Sequence, residues 1–187
     1  MVFVIGLGGV TGSGKTTMCR ELSKYLSTKY NNVQVIDLDS YSRDVDDPKH
    51  IHLQEFNHQD WESLTSLHIG RFISDIKSSI NNSSDSIMII EGFLIYNIDE
   101  LKSIFNLPYY FTLNFDECRK RRFQRIYVPP DPPDYFDKHV WPSYLIAKKQ
   151  ALNQIENLIE IDSTQPFDDI YRRIINDINQ EIARVNK

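Results

Sequence analysis

Only two cysteines, Cys19 and Cys118, occur in the 187 residues, and they form neither a C-x-x-C pair nor another metal-ligating spacing. That argues against a disulfide scaffold and a zinc module; two lone cysteines read as small buried hydrophobes in a reduced, cytoplasmic setting. No stretch approaches the roughly 20 apolar residues that a membrane span needs. The opening run MVFVIGLGG is apolar but short and lacks a basic flank, so it reads as a first strand rather than a signal peptide. Basic charge is not in excess either: 21 Lys and Arg face 26 Asp and Glu, a formal net charge of −5. General nucleic-acid binders usually have the opposite balance. The five histidines show no metal spacing beyond a weak His50-Ile51-His52 and read as polar loop residues. Internal repeats and low-complexity tracts are absent, and no obligate protein partner is implied.

A composition of 41% hydrophobic and 25% charged residues suits a chain with a real core. The length predicts one domain over 1–187. Short apolar runs at Val2–Leu7, Val33–Ile36, Ser86–Ile90, Tyr109–Leu113 and Leu158–Ile161 predict five strands. Between and after them, helical spacing predicts helices over Thr16–Lys29, Trp61–Ile80, Asp116–Tyr127, Ser143–Asn157 and Asp168–Val185. Alternating strands and helices predict an α/β fold, a parallel sheet with helices on both faces. Residues 43–58 read as a polar mobile loop. The five prolines between 128 and 142 predict a lid segment with no continuous helix.

One motif carries specific chemistry. Gly9-Val10-Thr11-Gly12-Ser13-Gly14-Lys15-Thr16 matches G-x-x-x-x-G-K-[ST] at every fixed position. Its glycines let the backbone curl until several N–H groups face phosphate oxygens. Lys15 then offers a charge to the β- and γ-phosphates, and the Thr16 hydroxyl offers a ligand to Mg²⁺. A chance match in a chain of this length is on the order of one in a hundred. The preceding strand and following helix are the context the motif demands. These residues point to a P-loop protein that binds a nucleoside triphosphate.

Two carboxylates lie where strand ends border the crevice of such a sheet: Asp39 after the second strand and Glu91 after the third. Either suits Mg²⁺, which keeps several waters and needs only one or two carboxylates. Either also suits a base for an acceptor hydroxyl. The bland alternative is an Asp that merely starts a turn. Asp37, Asp44, Asp46 and Asp47 read as a solvated acidic loop. Arg119, Lys120, Arg121, Arg122 and Arg125 crowd together in an acidic chain. A solvated basic face is the usual reading of such a run. Beside a P-loop, at least one of Arg121, Arg122 and Arg125 is expected to cover the phosphates. Tyr127, Tyr135, Phe136 and Trp141 follow as stacking or packing rings, Trp141 read as packing.

Taken together, three blocks make the chain resemble the nicotinamide riboside kinases, in the uridine kinase-like branch of the P-loop kinases: GVTGSGKTT from Gly9, IIEGFLIY from Ile89, and FDECRKRRFQRIYVPPDPPDYFDKHVWP from Phe115. The resemblance implies a P-loop NTPase fold with five parallel strands and a short Arg-rich lid. It implies transfer of phosphate from ATP, with Mg²⁺, to the 5′-hydroxyl of nicotinamide riboside, with nicotinic acid riboside as a second acceptor. Gly9 to Thr17 would hold the triphosphate and Thr16 the Mg²⁺, with Asp39 matching a metal-linked base. Arg121 and Arg125 match lid arginines on the ATP side; Arg122 matches an arginine on the acceptor side. Tyr127 matches a ring packing on the pyridine, with Val128 beside it. Gln165 and Phe167 match the loop near adenine. The lid and acceptor segment would span about 116–142 and the acceptor loop about 40–62. In that loop Trp61 would stack on the pyridine and Glu62 would bond the ribose, with His58-Gln59 as the competing register. Glu62 is one methylene longer than the Asp of the family motif, and Ser42 stands where relatives often have an aromatic.

A uridine or cytidine kinase would use the same machinery with another base pocket. A GTPase-like switch would need a guanine-reading Asn-Lys-x-Asp, which the sequence lacks.

Overall fold

The computed structural model describes residues 2–82 and 86–185. Its main sheet has five strands: β1 (Val2–Gly9), β2 (Val33–Asp37), β5 (Ser86–Gly92), β6 (Leu107–Thr112) and β7 (Ile159–Asp162). Two further strands of two residues each, β3 (His52–Leu53) and β4 (His58–Gln59), pair antiparallel as a small hairpin. The main sheet runs in the order β2-β5-β1-β6-β7, and every pairing in it is parallel. β1 is thus the central strand, with residues 3–9 buried, as a strand covered on both faces must be.

Five α-helices accompany the strands: α1 (Lys15–Ser27), α2 (Ile69–Asn82), α3 (Phe115–Phe123), α4 (Trp141–Gln154) and α5 (Phe167–Val185). On one face Met18, Leu22 and Leu26 of α1 pack with Ile170, Ile174 and Ile178 of α5. On the other, Phe72 and Ile76 of α2 pack with Ala147 and Ala151 of α4. A third apolar cluster, Val10, Leu113, Cys118, Tyr135, Phe136 and Val140, joins the P-loop to the lid segment. Both cysteines are free and buried.

The β3–β4 hairpin lies in the stretch expected as a loop, and three helical elements also differ from the sequence expectation. The helix expected from Trp61 begins only at Ile69. Ser66 donates its hydroxyl to Ser63 O at 2.7 Å and closes a 3₁₀ turn over Leu64–Ser66, so Trp61 stays in an extended strap. Such local hydroxyl bonds compete with helix. The helix expected to reach Tyr127 stops at Phe123. A tightened turn, Arg125 N to Arg122 O at 3.0 Å, then redirects the chain, so Arg121 and Arg125 share no helical face. Finally, the Pro-rich stretch forms no continuous helix, as expected, but its last part makes a π-helical turn at Phe136–Val140 that runs into α4, with Pro142 in its first α-helical turn. The proline's missing N–H removes one bond from the ladder at the point where π pairing gives way to α pairing.

Candidate active site

The carboxyl ends of β1, β2 and β5 open onto one cavity of about 530 Å³. Gly9, the last residue of β1, has φ 128°, and a Cβ there would fall 2.1 Å from the Phe111 carbonyl oxygen. Only glycine lets the strand pass so close to β6 and still turn into the loop. At the other end of the loop Gly14, with φ 90°, precedes the first turn of α1 in the left-handed conformation. Ser13 and Lys15 both donate to the Val10 carbonyl, at 2.7 and 2.8 Å, which fixes the curl between the glycines. Lys15 is buried, and burial lowers its pKa against the opposing pull of Asp39 and Glu91.

Glu91, next to last in β5, lies beside Asp37 at the end of β2. It is 3% exposed and accepts the Thr16 hydroxyl at 3.1 Å. Burial, then repulsion from Asp37, pushes its carboxyl up to about 7. Asp39 faces the cavity from the 3₁₀ turn after β2. The surrounding protein raises its pKa, as does Asp37, while Lys15 and Arg125 pull the other way. Asp37 itself accepts the Asp39 N–H at 2.9 Å and so caps that turn instead of sitting in a solvated loop. Among the described residues no group of three or more His, Cys, Asp or Glu side chains gathers as a metal cage.

The acceptor strap and the lid meet at Arg122. Its guanidinium, 4% exposed, donates to both oxygens of Asp131 at 2.6 and 3.1 Å and pairs with Glu62 at 3.1 Å. Burial disfavours its charge, but these two carboxylates more than offset that cost. Burial raises the pKa of Glu62, against the pull of Arg122. The Tyr127 ring lies 4.6 Å from the Arg122 guanidinium, and its hydroxyl is 3.2 Å from Thr11 Oγ1. Trp61 lines the cavity with His50 edge-on to it at 4.5 Å.

Most sequence-predicted residues therefore converge. Gly9, Val10, Thr11, Gly12, Gly14, Lys15, Thr16, Asp39, Glu91, Arg125 and Tyr127 all line the cavity. So do Trp61, Glu62, Arg122 and Val128, in the first of the two loop registers; His58 and Gln59 are taken up in β4. Ser13, Thr17, Arg121, Gln165 and Phe167 do not line it. Arg121 is held away by Glu117, by the Gly12 carbonyl and by the Ser163 carbonyl, at 2.6, 3.3 and 3.3 Å. Phe167 stacks on Tyr171 at the start of α5. Trp141 packs against Phe115 and Tyr144, as expected. Sequence reasoning missed Asp131, Arg43 and Tyr144 and treated Asp44 as merely solvated, yet all four line the cavity. The P-P-D-P-P run around Asp131 gives no sign of its partner, which is nine residues back in the chain.

Comparison with known proteins follows the same lines. A family model described as an AAA domain matches residues 5–142. Nicotinamide riboside kinase 1 of Mus musculus is 34% identical over 98% of this chain and 97% of its own length. The Homo sapiens protein of the same name is 33% identical over 97% of this chain and 94% of its own. Among solved structures, a possible uridine kinase from Bacillus stearothermophilus superposes with a TM-score of 0.53 at 15% identity, covering 84% of this chain and 88% of its own, a likeness of fold. With the P-loop, the paired strand-end carboxylates and the Arg122 junction in one cavity, and with these relatives matching over nearly the whole length, the chain belongs to the nicotinamide riboside kinase family.

Proposed function

We propose that this chain transfers the γ-phosphate of ATP to the 5′-hydroxyl of nicotinamide riboside, giving the mononucleotide and ADP, and that nicotinic acid riboside is a second acceptor. The observation that carries the reading is a single cavity lined both by the P-loop and by an aromatic and ion-paired acceptor wall of Trp61, Tyr127, Glu62 and Arg122. One cavity of that make-up suits two substrates meeting end to end, as direct phosphoryl transfer requires. The family resemblance names the acceptor.

In this reading the P-loop amides and Lys15 hold the β- and γ-phosphates. Asp39 accepts the proton of the 5′-hydroxyl as its oxygen bonds to the γ-phosphorus and the bond to the β–γ bridging oxygen breaks. The raised pKa of Asp39 brings it nearer the range of an effective base. Arg125, also on the cavity wall, stabilises charge on the transferred group. Glu62 and Arg122 hold the ribose hydroxyls, while Trp61 and Tyr127 bracket the ring. Thr16 with Glu91 or Asp39 would hold Mg²⁺; the all-oxygen donor set around the Thr16–Glu91 contact suits a hard cation. When bound, that cation supplies charge neutralisation at the phosphates. Residues 1–187 then act as a single cytoplasmic kinase unit on small molecules.

The test is a side-by-side measurement of kcat/KM for nicotinamide riboside, nicotinic acid riboside, uridine and cytidine with ATP. The pyridine ribosides are expected to lead. A pyrimidine nucleoside ahead of both by about tenfold, roughly 1.4 kcal/mol of transition-state preference, would sink the reading.

A further inference from the structure

Glu62 stands on a strap, residues 60–63, that belongs to no helix or strand, so something outside regular structure must fix it. The Asp60 side chain does so from two directions. Its Oδ1 accepts the backbone N–H of Glu62 at 3.0 Å, an Asx turn that sets the strap's local path. The same oxygen lies 2.8 Å from Nε2 of His139, in the π-helical turn that leads into α4. A carboxylate oxygen only accepts here, so Nε2 carries the proton. Asp60 is 8% exposed, and its own N–H is bound to the Ile51 carbonyl at 2.8 Å, so it has little freedom to turn elsewhere. Tyr135, one helical turn before His139, adds a parallel tie: its hydroxyl accepts from Trp61 N and donates to Gln59 O, each at 3.2 Å.

Neither Asp60 nor His139 lines the cavity. We propose that Asp60 and His139 form a positioning pair that sets the acceptor-binding side chains Glu62 and Trp61, so that the π-helical turn acts on riboside affinity through a residue that does not itself touch the riboside. This rests on the functional reading above. The His139–Asp60 bond fixes the Asx turn to the lid. The turn in turn aims Glu62 at Arg122, which Asp131 holds from the other side.

The experiment combines steady-state kinetics with a tryptophan-fluorescence titration of nicotinamide riboside, which reads acceptor binding through Trp61 without turnover. His139→Ala is expected to raise both the riboside KM and its fluorescence Kd by about tenfold, with the ATP KM within about twofold and kcat within about threefold. His139→Gln keeps an N–H donor, and Asp60→Asn keeps an acceptor oxygen. Each is expected to recover most of the loss seen in its alanine counterpart. The double alanine variant is expected to be no worse than either single one, as for residues that act as a unit. Multiplying effects, equal rises in both KM values, or conservative variants no better than alanine would each overturn the pair. A thermal unfolding series on the same proteins identifies a variant that fails by misfolding, and the Gln and Asn variants then decide the case. If wild type prefers uridine, the functional reading falls instead; the same ratios are then read with uridine, which presents the same ribose hydroxyls.

Discussion

Thr16 donates its hydroxyl to Glu91 at 3.1 Å, joining the first turn of α1 to the end of β5. A carboxylate at 3% exposure beside Asp37 is costly to ionise, which is why its pKa reaches about 7 from an ordinary 4.5. Between those values the folded protein binds a proton that the unfolded chain has released. Stability therefore falls as pH rises across that window and levels off above it. The full effect is about 3 kcal/mol at most, with Asp39 adding in the same direction. Glu91→Gln is expected to flatten this slope in urea titrations run between about pH 5 and pH 8. An unchanged slope in the variant would place the titrating group elsewhere.

Lys15→Ala is expected to lower kcat by about 10³-fold or more, because no other P-loop side chain brings a full charge to the phosphates. Its fold should survive, since the ammonium is buried at a cost that removal relieves. Circular dichroism alongside turnover separates the two effects, and near-normal kcat would remove the central role of the P-loop.

For Asp39→Asn the expected fall in kcat is about 10²-fold or more, the usual size of a general-base contribution. The acidic limb of the pH–rate profile should disappear with it. Glu91→Gln, by contrast, is expected to act through the Mg²⁺ requirement. If Asp39→Asn keeps its rate and profile, the two carboxylates exchange roles.

Arg125 and Arg121 are expected to separate. Arg125 lines the cavity and interacts with both Lys15 and Asp39, so Arg125→Ala should lower kcat more than it raises the ATP KM. Arg121 braces the Gly12 and Ser163 carbonyls and is expected to change chiefly the ATP KM. Matching kcat losses of about tenfold or more in both variants would mean that the lid closes much further than this geometry shows.

Trp61→Ala is expected to cost about tenfold or more in kcat/KM for nicotinamide riboside, from lost stacking and lost buried area together. The ATP KM should stay within about twofold. A variant that loses both substrates equally would assign Trp61 to the fold of the strap.

The donor end was legible in sequence because its chemistry is local: eight consecutive residues from Gly9 to Thr16 contain the loop, the charge and the hydroxyl. The three inner strands β5, β1 and β6 were legible for a similar reason, since buried parallel strands are short continuous apolar runs. The acceptor end is built from contacts between distant segments. Asp131 and Glu62 converge on Arg122 from opposite directions in the chain. Leu64 and Leu67 fit a helical period from Trp61, yet they fill the core from a 3₁₀ turn and an extended residue, which periodicity does not distinguish. Likewise the prolines concealed the π-helical turn that carries His139.

The two ends of the cavity have different owners. The P-loop grows from the central strand and inherits the rigidity of the whole sheet. Trp61 and Glu62 hang instead from Tyr135, His139 and Arg122, all on the segment that follows β6. A designer seeking another nucleoside would therefore graft residues 52–62 and 122–140 as one cassette and leave the sheet alone. Transplanting 52–62 alone would leave Asp60 without its imidazole and Glu62 without its guanidinium, and transplanting 122–140 alone would strand the buried Arg122 without Glu62.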